Sequence, residues 1–180
     1  MRRGFKADAE GISAEVRQDL GITATAALPL ERACASLGVE VRSAADLIEI
    51  DRLAKIEQVQ PGAFSACTFE IGDRRIIVWN PLSSPARTSS DITHELSHIL
   101  LKHRVQNIHI VGELTFFGCD PEEEQEANWL AGCLLLPRQL LLTYVRKGMS
   151  AEDIADKFAV SVPMVNYRMR VTGVLQQAKR

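Results

Sequence analysis

The segment His94-Glu95-Leu96-Ser97-His98 constrains this chain more than any other feature. On a helix, residues four apart lie one turn above one another, so the two imidazoles share a face and can bind a single zinc ion. Glu95 lies about 100° round from His94, close enough to reach a water held by that metal. It can take the proton as the water attacks a carbonyl and pass it to the leaving amine. Zinc brings the pKa of its water toward neutrality and polarises the carbonyl of the scissile amide. With His94 at 0°, Ile92, Leu96, Ile99 and Leu100 fall roughly between 140° and 240°, and His98 falls near 40°. The helix therefore has an apolar stripe on one side and the histidine pair on the other. His103 lands at about 180°, inside the stripe, and reads as a satisfied buried histidine rather than a ligand.

A catalytic zinc normally takes three protein ligands and keeps one position open. The metzincin pattern needs glycine where Leu101 stands and histidine where Arg104 stands, so that class is excluded. The remaining source is the acidic run Asp120, Glu122, Glu123, Glu124 and Glu126. Carboxylates at a helix start are favoured by the helix dipole, which accounts for most of them. Glu126 differs, because it is the last carboxylate before Ala127 to Leu136 and its face continues through Leu130 and Cys133. A carboxylate turned into an apolar face needs a counter-charge, and a metal supplies one. Glu126 is the expected third ligand, with Glu122 and Glu123, one turn earlier on the same face, as alternatives. Cys133 reads as a small buried hydrophobe.

The chain has 180 residues, 46% hydrophobic and 24% charged, with a net charge of −2. That suits one compact domain with a small appendage and gives no whole-molecule reason for nucleic acid or an anionic membrane as partner. Cys34, Cys67, Cys119 and Cys133 are scattered without a CxxC pair, which fits a reducing, cytoplasmic setting and rules out a cysteine-rich zinc knuckle. No secretory signal and no membrane span are expected.

Apolar periodicity and stop signals predict helices over 6–20, 29–37, 45–58, 88–103, 121–136, 138–147, 151–158 and 162–172. Thr88 and Asp91 resemble a capping box for the fourth of these. Phe64 to Ile71 and Arg74 to Trp79 read as strands of a hairpin turning at Gly72-Asp73. The fold class is α+β, mostly helical, with a small antiparallel sheet. The expected division is 1–148 for the metal-bearing domain and 149–180 for a helix-turn-helix-like segment packed on it. An exposed strand edge beside such a site can pair with an extended substrate. The 74–79 strand is the candidate, with Ile77 and Trp79 as substrate-contacting residues. The other reading of so apolar a run is a covered core strand.

His94-Glu95-Leu96-Ser97-His98 is followed by Glu126-Ala127-Asn128-Trp129-Leu130-Ala131 and Leu134-Leu135-Leu136-Pro137. Together these resemble the ImmA/IrrE family of metallo-endopeptidases. The strand Ile76-Ile77-Val78-Trp79-Asn80, the preceding Gly62 to Ala66 and the tail from Ile154 to Ser161 resemble it too, so the likeness spans roughly residues 5–175. The resemblance implies a zincin-like fold, zinc held by His94, His98 and Glu126, and Glu95 as general base. It also implies a helix-turn-helix transcriptional repressor as protein substrate, with relief of repression in stress response or mobile-element regulation. A non-proteolytic protein of the same fold that sequesters a repressor is the alternative.

From 150 onward, Lys157, Arg168, Arg170, Lys179 and Arg180 oppose Glu152, Asp153 and Asp156, a weak footprint for phosphate binding. The second helix of this segment opens Val162-Pro163-Met164-Val165, which offers no base-reading side chains. Direct DNA binding is therefore not expected. Packing on the catalytic domain or docking of a protein substrate is.

Overall fold

A computed structural model describes residues 1–103, 108–111, 114–117 and 120–178, with backbone alone between 104 and 119. Helices α1 (Phe5–Asp19) and α2 (Leu30–Ser36) precede strand β1 (Val39–Ser43). A 3-10 turn (Ala44–Asp46) and α3 (Ile50–Val59) lead to β2 (Ala66–Ile71) and β3 (Arg74–Trp79). Then come α4 (Pro85–Leu101), the hairpin β4 (Ile108–Val111) and β5 (Leu114–Phe117), and α5 (Pro121–Leu135). Helices α6 (Arg138–Arg146), α7 (Ala151–Phe158), α8 (Val162–Thr172) and α9 (Val174–Ala178) finish the chain. The architecture is the expected mostly helical α+β class.

The main sheet has the order β1-β3-β2 and is mixed rather than antiparallel. β2 and β3 pair antiparallel across the Gly72-Asp73 turn, where Gly72 takes a φ of 60°. β1 lies parallel to β3, because the connection through α3 leads into β2, which runs opposite to β1, and the hairpin then reverses the chain into β3. This places β3 in the centre. Ile77 is fully buried in the main core with Trp79 packed against that core, while Ile76 and Val78 face Ala44, Leu53 and Phe64 on the other side. The unbroken apolar run is thus a strand covered on both faces. Ile77 and Trp79 do not lie on an edge. The two edges are β1 and β2, each with one strand neighbour among the described residues, and β2 is the edge that carries Thr68 to Glu95 on α4.

Helix α4 begins earlier than its periodicity suggests. Ser84 caps it, accepting from the Arg87 N–H at 3.4 Å, and Pro85 occupies the first turn where no N–H is needed. Asp91 is therefore an interior residue, paired with Arg87 at 3.6 Å rather than closing a box with Thr88. The helix also ends earlier, at Leu101. Lys102 adopts the left-handed conformation with φ 55°, the His103 N–H reaches back to the His98 carbonyl, and the Lys102 N–H to Ile99. These two bonds form a Schellman termination.

Helix α5 ends inside the protein. Its final carbonyls need partners, and Pro137 removes the N–H that the Cys133 carbonyl would use. The Ser13 hydroxyl substitutes at 2.8 Å, Arg17 donates to the Leu134 carbonyl at 2.8 Å, and Arg168 donates to Leu136 at 3.1 and 3.2 Å. All three side chains are buried. Two are cations at a helix C-terminus, where the dipole favours positive charge. The Arg168 guanidinium also pairs with Glu10 at 2.6 Å.

Two cores result. The larger gathers α1, α2, β3, α4 and α5 around Phe5, Ile77, Leu96, Leu130 and Leu134. The smaller joins Leu135, Leu136, Leu140 and Leu141 to Ile154, Val165, Met169 and Val174. Helix α6 thus packs with the helices that follow it. Ser150 and Ser161 cap α7 and α8 as expected, and α9 is an added short turn held partly by Arg138 and Gln177. Among the described residues no helix is long and apolar enough to cross a membrane.

Gly132 is the closest approach of these parts. A Cβ there would stand 2.8 Å from Arg168 Cδ, the middle of a side chain fixed at its far end by Leu136 and Glu10. Gly132→Ala should destabilise the protein by roughly 1–3 kcal/mol in denaturant melts, the usual cost of overpacking. Gly11→Ala, in the interior of α1 with nothing within 4 Å, should instead be stabilising by about 0.5–1 kcal/mol.

Candidate metal centre

The site forms where α4 packs against α5. His94 and His98 project from α4 with their Nε2 atoms 3.1 Å apart. From α5, Glu124 places one carboxylate oxygen 3.3 Å from His94 Nε2 and the other 3.3 Å from His98 Nε2. Donors at about 2.0–2.1 Å around a tetrahedral zinc stand roughly 3.3 Å from one another. One ligand atom from each of the three side chains lies within 4.8 Å of the others, so the group could hold a metal ion, and it is the metal-competent group among the described residues. Two nitrogens and one carboxylate oxygen form a donor set suited to catalytic zinc, with one position left for water or substrate.

Glu126 is not brought to this pair. It lies two residues beyond Glu124, a rotation of roughly 200° on a helix. Its Oε1 accepts from the Arg2 backbone N–H at 2.9 Å, and its Oε2 lies 3.9 Å from His103 Nε2. The physical reading of a carboxylate turned into the protein holds, since Glu126 is 8% exposed. Its counter-groups are a backbone donor and a histidine rather than the cluster on α4. Glu122 and Glu123 do not join the histidine group either. Asp120 caps α5 through the Glu122 N–H at 2.7 Å, and Glu122 and Glu123 sit in the first turn, where the dipole favours them. The signal that separates Glu124 from Glu126 is the face of α5 that meets α4, which the local pattern does not carry.

Glu95 sits between the histidines in sequence and beneath β2 in space. The Thr68 hydroxyl, on that edge strand, donates to Glu95 Oε2 at 2.6 Å. Burial raises the Glu95 pKa; the Thr68 bond and His94 pull it back, while Glu124 pushes it further up. A carboxyl raised in this way is a better proton acceptor than an exposed carboxylate. Burial holds the His98 imidazole down to about 4, with His94 adding to the effect and Glu124 opposing it. The ring is then neutral and its lone pair available to a metal.

His103 also departs from its expected place. The wheel puts it in the apolar stripe only if α4 continues past Leu101. The Schellman turn instead folds it back, and its Nδ1 lies 3.0 Å from His98 Nδ1. Among the described residues, Cys34, Cys67 and Cys133 do not join the metal-competent group. Burial pushes the Cys67 thiol up to about 11, helped by Glu95, and that of Cys133 up to about 12. The His109 side chain and Cys119 lie outside the described residues.

Compared with known families, residues 36–170 match the IrrE N-terminal-like domain, Peptidase_M78. The chain belongs to this metallopeptidase family. The match takes in α4, α5, α7 and most of α8, so the histidine pair, Glu124 and the greater part of the helix-turn-helix-like segment fall within the IrrE-like domain. A Mycobacterium tuberculosis transcriptional regulator of known structure shares the fold, with a TM-score of 0.55 and 16% identity. The alignment covers 93% of this chain and 47% of that one, so the chain spans about half the length of this neighbour. The comparison with curated proteins finds no match.

Glu124→Gln should weaken zinc binding by more than about 100-fold in competition with a chromophoric chelator, beyond the 10–100-fold that groups behind the ligands carry. Glu126→Gln, behind the ligands rather than among them, should cost no more than that roughly 10–100-fold in the same titration. Equal losses in the two variants would reject the assignment of Glu124.

Proposed function

We propose that this IrrE-like chain is a zinc-dependent endopeptidase that cuts a helix-turn-helix transcriptional repressor and so relieves repression. The observation that carries the reading is the convergence of His94, His98 and Glu124 on one point beside a buried carboxyl at Glu95. Zinc bound there supplies Lewis-acid polarisation of the scissile carbonyl and eases deprotonation of water. Glu95 accepts the proton released as water adds to the carbonyl and delivers it to the departing amine. Thr68 aims the carboxylate that does this.

The substrate strand would lie along β2. Its outer edge has no strand partner among the described residues, and it carries Thr68 directly over Glu95. An extended segment pairing with that edge would pass its carbonyls across the site. This role moves from Ile77 and Trp79 to Ala66–Ile71. On α8, Arg168 is fully buried and turned toward α5, so it is not available to a phosphate backbone. That supports a packing or protein-docking role for the segment.

Glu95→Gln should keep one zinc per chain and lose cleavage of the repressor by a factor on the order of 10²–10⁴. The readout is gel-resolved fragments from the two purified proteins incubated with zinc. The neighbouring structure is described as a transcriptional regulator, which leaves room for sequestration of a repressor without cutting. In that case Glu95→Gln would relieve repression as well as the wild-type protein does, and no fragment would appear.

A further inference from the structure

The zinc reading uses His94, Glu95, His98 and Glu124 and leaves His103 and Glu126 without a task. We propose that these two form a positioning chain behind the metal centre, in which His103 fixes the orientation and tautomer of His98 and Glu126 fixes His103. The proposal rests on the reading that His94, His98 and Glu124 hold zinc.

The two nitrogens of His98 face opposite ways. Nε2 points to His94 and Glu124, and Nδ1 lies 3.0 Å from His103 Nδ1. Two neutral imidazoles meeting nitrogen to nitrogen share one proton, so one ring donates and the other accepts. A His98 that offers its Nε2 lone pair to a metal carries its proton on Nδ1. His98 is then the donor, His103 Nδ1 the acceptor, and the proton of His103 lies on Nε2. That Nε2–H faces Glu126 Oε2 at 3.9 Å, an electrostatic contact, while Glu126 is held through Oε1 by the Arg2 N–H at 2.9 Å. The contact between the two imidazoles thus has one internally consistent proton order toward the metal ligand, with the Glu126 carboxylate as an electrostatic neighbour of His103.

The backbone accounts for the arrangement. A Schellman turn places the second residue past the helix beside the residue that begins the last turn. Here these are His103 and His98, joined by the His103 N–H to His98 carbonyl bond at 3.0 Å. The contact pair that such turns usually make from apolar side chains is made by two imidazoles. A ligand histidine whose distal N–H is held in this way loses rotational freedom and gains basicity.

The test is spectroscopic and thermodynamic. In zinc-loaded protein labelled with nitrogen-15 in histidine, long-range proton–nitrogen correlations should show His98 protonated at Nδ1 and His103 protonated only at Nε2. His103→Phe, which keeps a ring but removes the acceptor, should weaken zinc affinity by roughly 10- to 100-fold. His103→Asn, whose side-chain oxygen can still accept, should recover most of that loss. A proton on His103 Nδ1, or wild-type zinc affinity in His103→Phe, overturns the proposal while leaving the metal centre intact. The wild-type spectrum decides the question even where a variant fails to fold. A wild-type chain that takes up no stoichiometric zinc overturns the metal-centre reading, and this proposal with it.

Discussion

Helix α5 carries a carboxylate to the histidine pair at one end and terminates inside the protein at the other. A buried helix end exposes carbonyls that water cannot reach, and each one left unpaired costs roughly 1–3 kcal/mol. Ser13, Arg17 and Arg168 meet that demand from two different parts of the chain. The same three contacts lock α1 and α8 onto α5. With its far end fixed, α5 lies against α4 in one register, and Glu124 is held beside His94 and His98. Arg168 is thus a structural cation that joins the two cores, and Gly132 is the small residue that makes room for it.

Helix α4 works under a complementary constraint. Its apolar stripe, with Leu96 and Ile92 buried, packs into the main core and turns the histidines outward from that core. A helix with one face in the core and the other at a cleft holds its ligands on a rigid support, which limits the reorganisation needed to bind a metal. The edge strand β2 completes the arrangement by holding Glu95 through Thr68. Scaffold, ligands and base therefore come from three elements whose positions depend on one another.

Much of this was legible in the chain. Periodicity located α4, α5 and the capped helices α7 and α8, because amphipathic patterns and serine caps act within a few residues. The identity and spacing of His94, Glu95 and His98 have a chemical meaning on any helix. Burial of Glu126 was also readable, since its face continues into an apolar run. The end of α4 was not. Lys102 in the left-handed conformation carries no glycine signal, so the wheel ran past the true end and misplaced His103. The 74–79 strand became central only because β1 pairs with it across a crossover that no local pattern announces.

Sequence by itself determined the elements that arise from short-range physics: the helices, the serine caps of α7 and α8, the hairpin, the two-sided helix that bears the histidines, and the family. Tertiary structure alone decided which carboxylate faces the histidine pair, which strand forms the edge beside the site, and that His103 stands behind His98. These are questions of which faces meet, and faces meet through contacts between residues far apart in the chain. Glu124 and Glu126 stand two residues apart on one helix, and the local pattern separates them only by the apolar face that follows Glu126. The packing of α4 on α5 sends one toward the metal centre and the other toward the residues behind it.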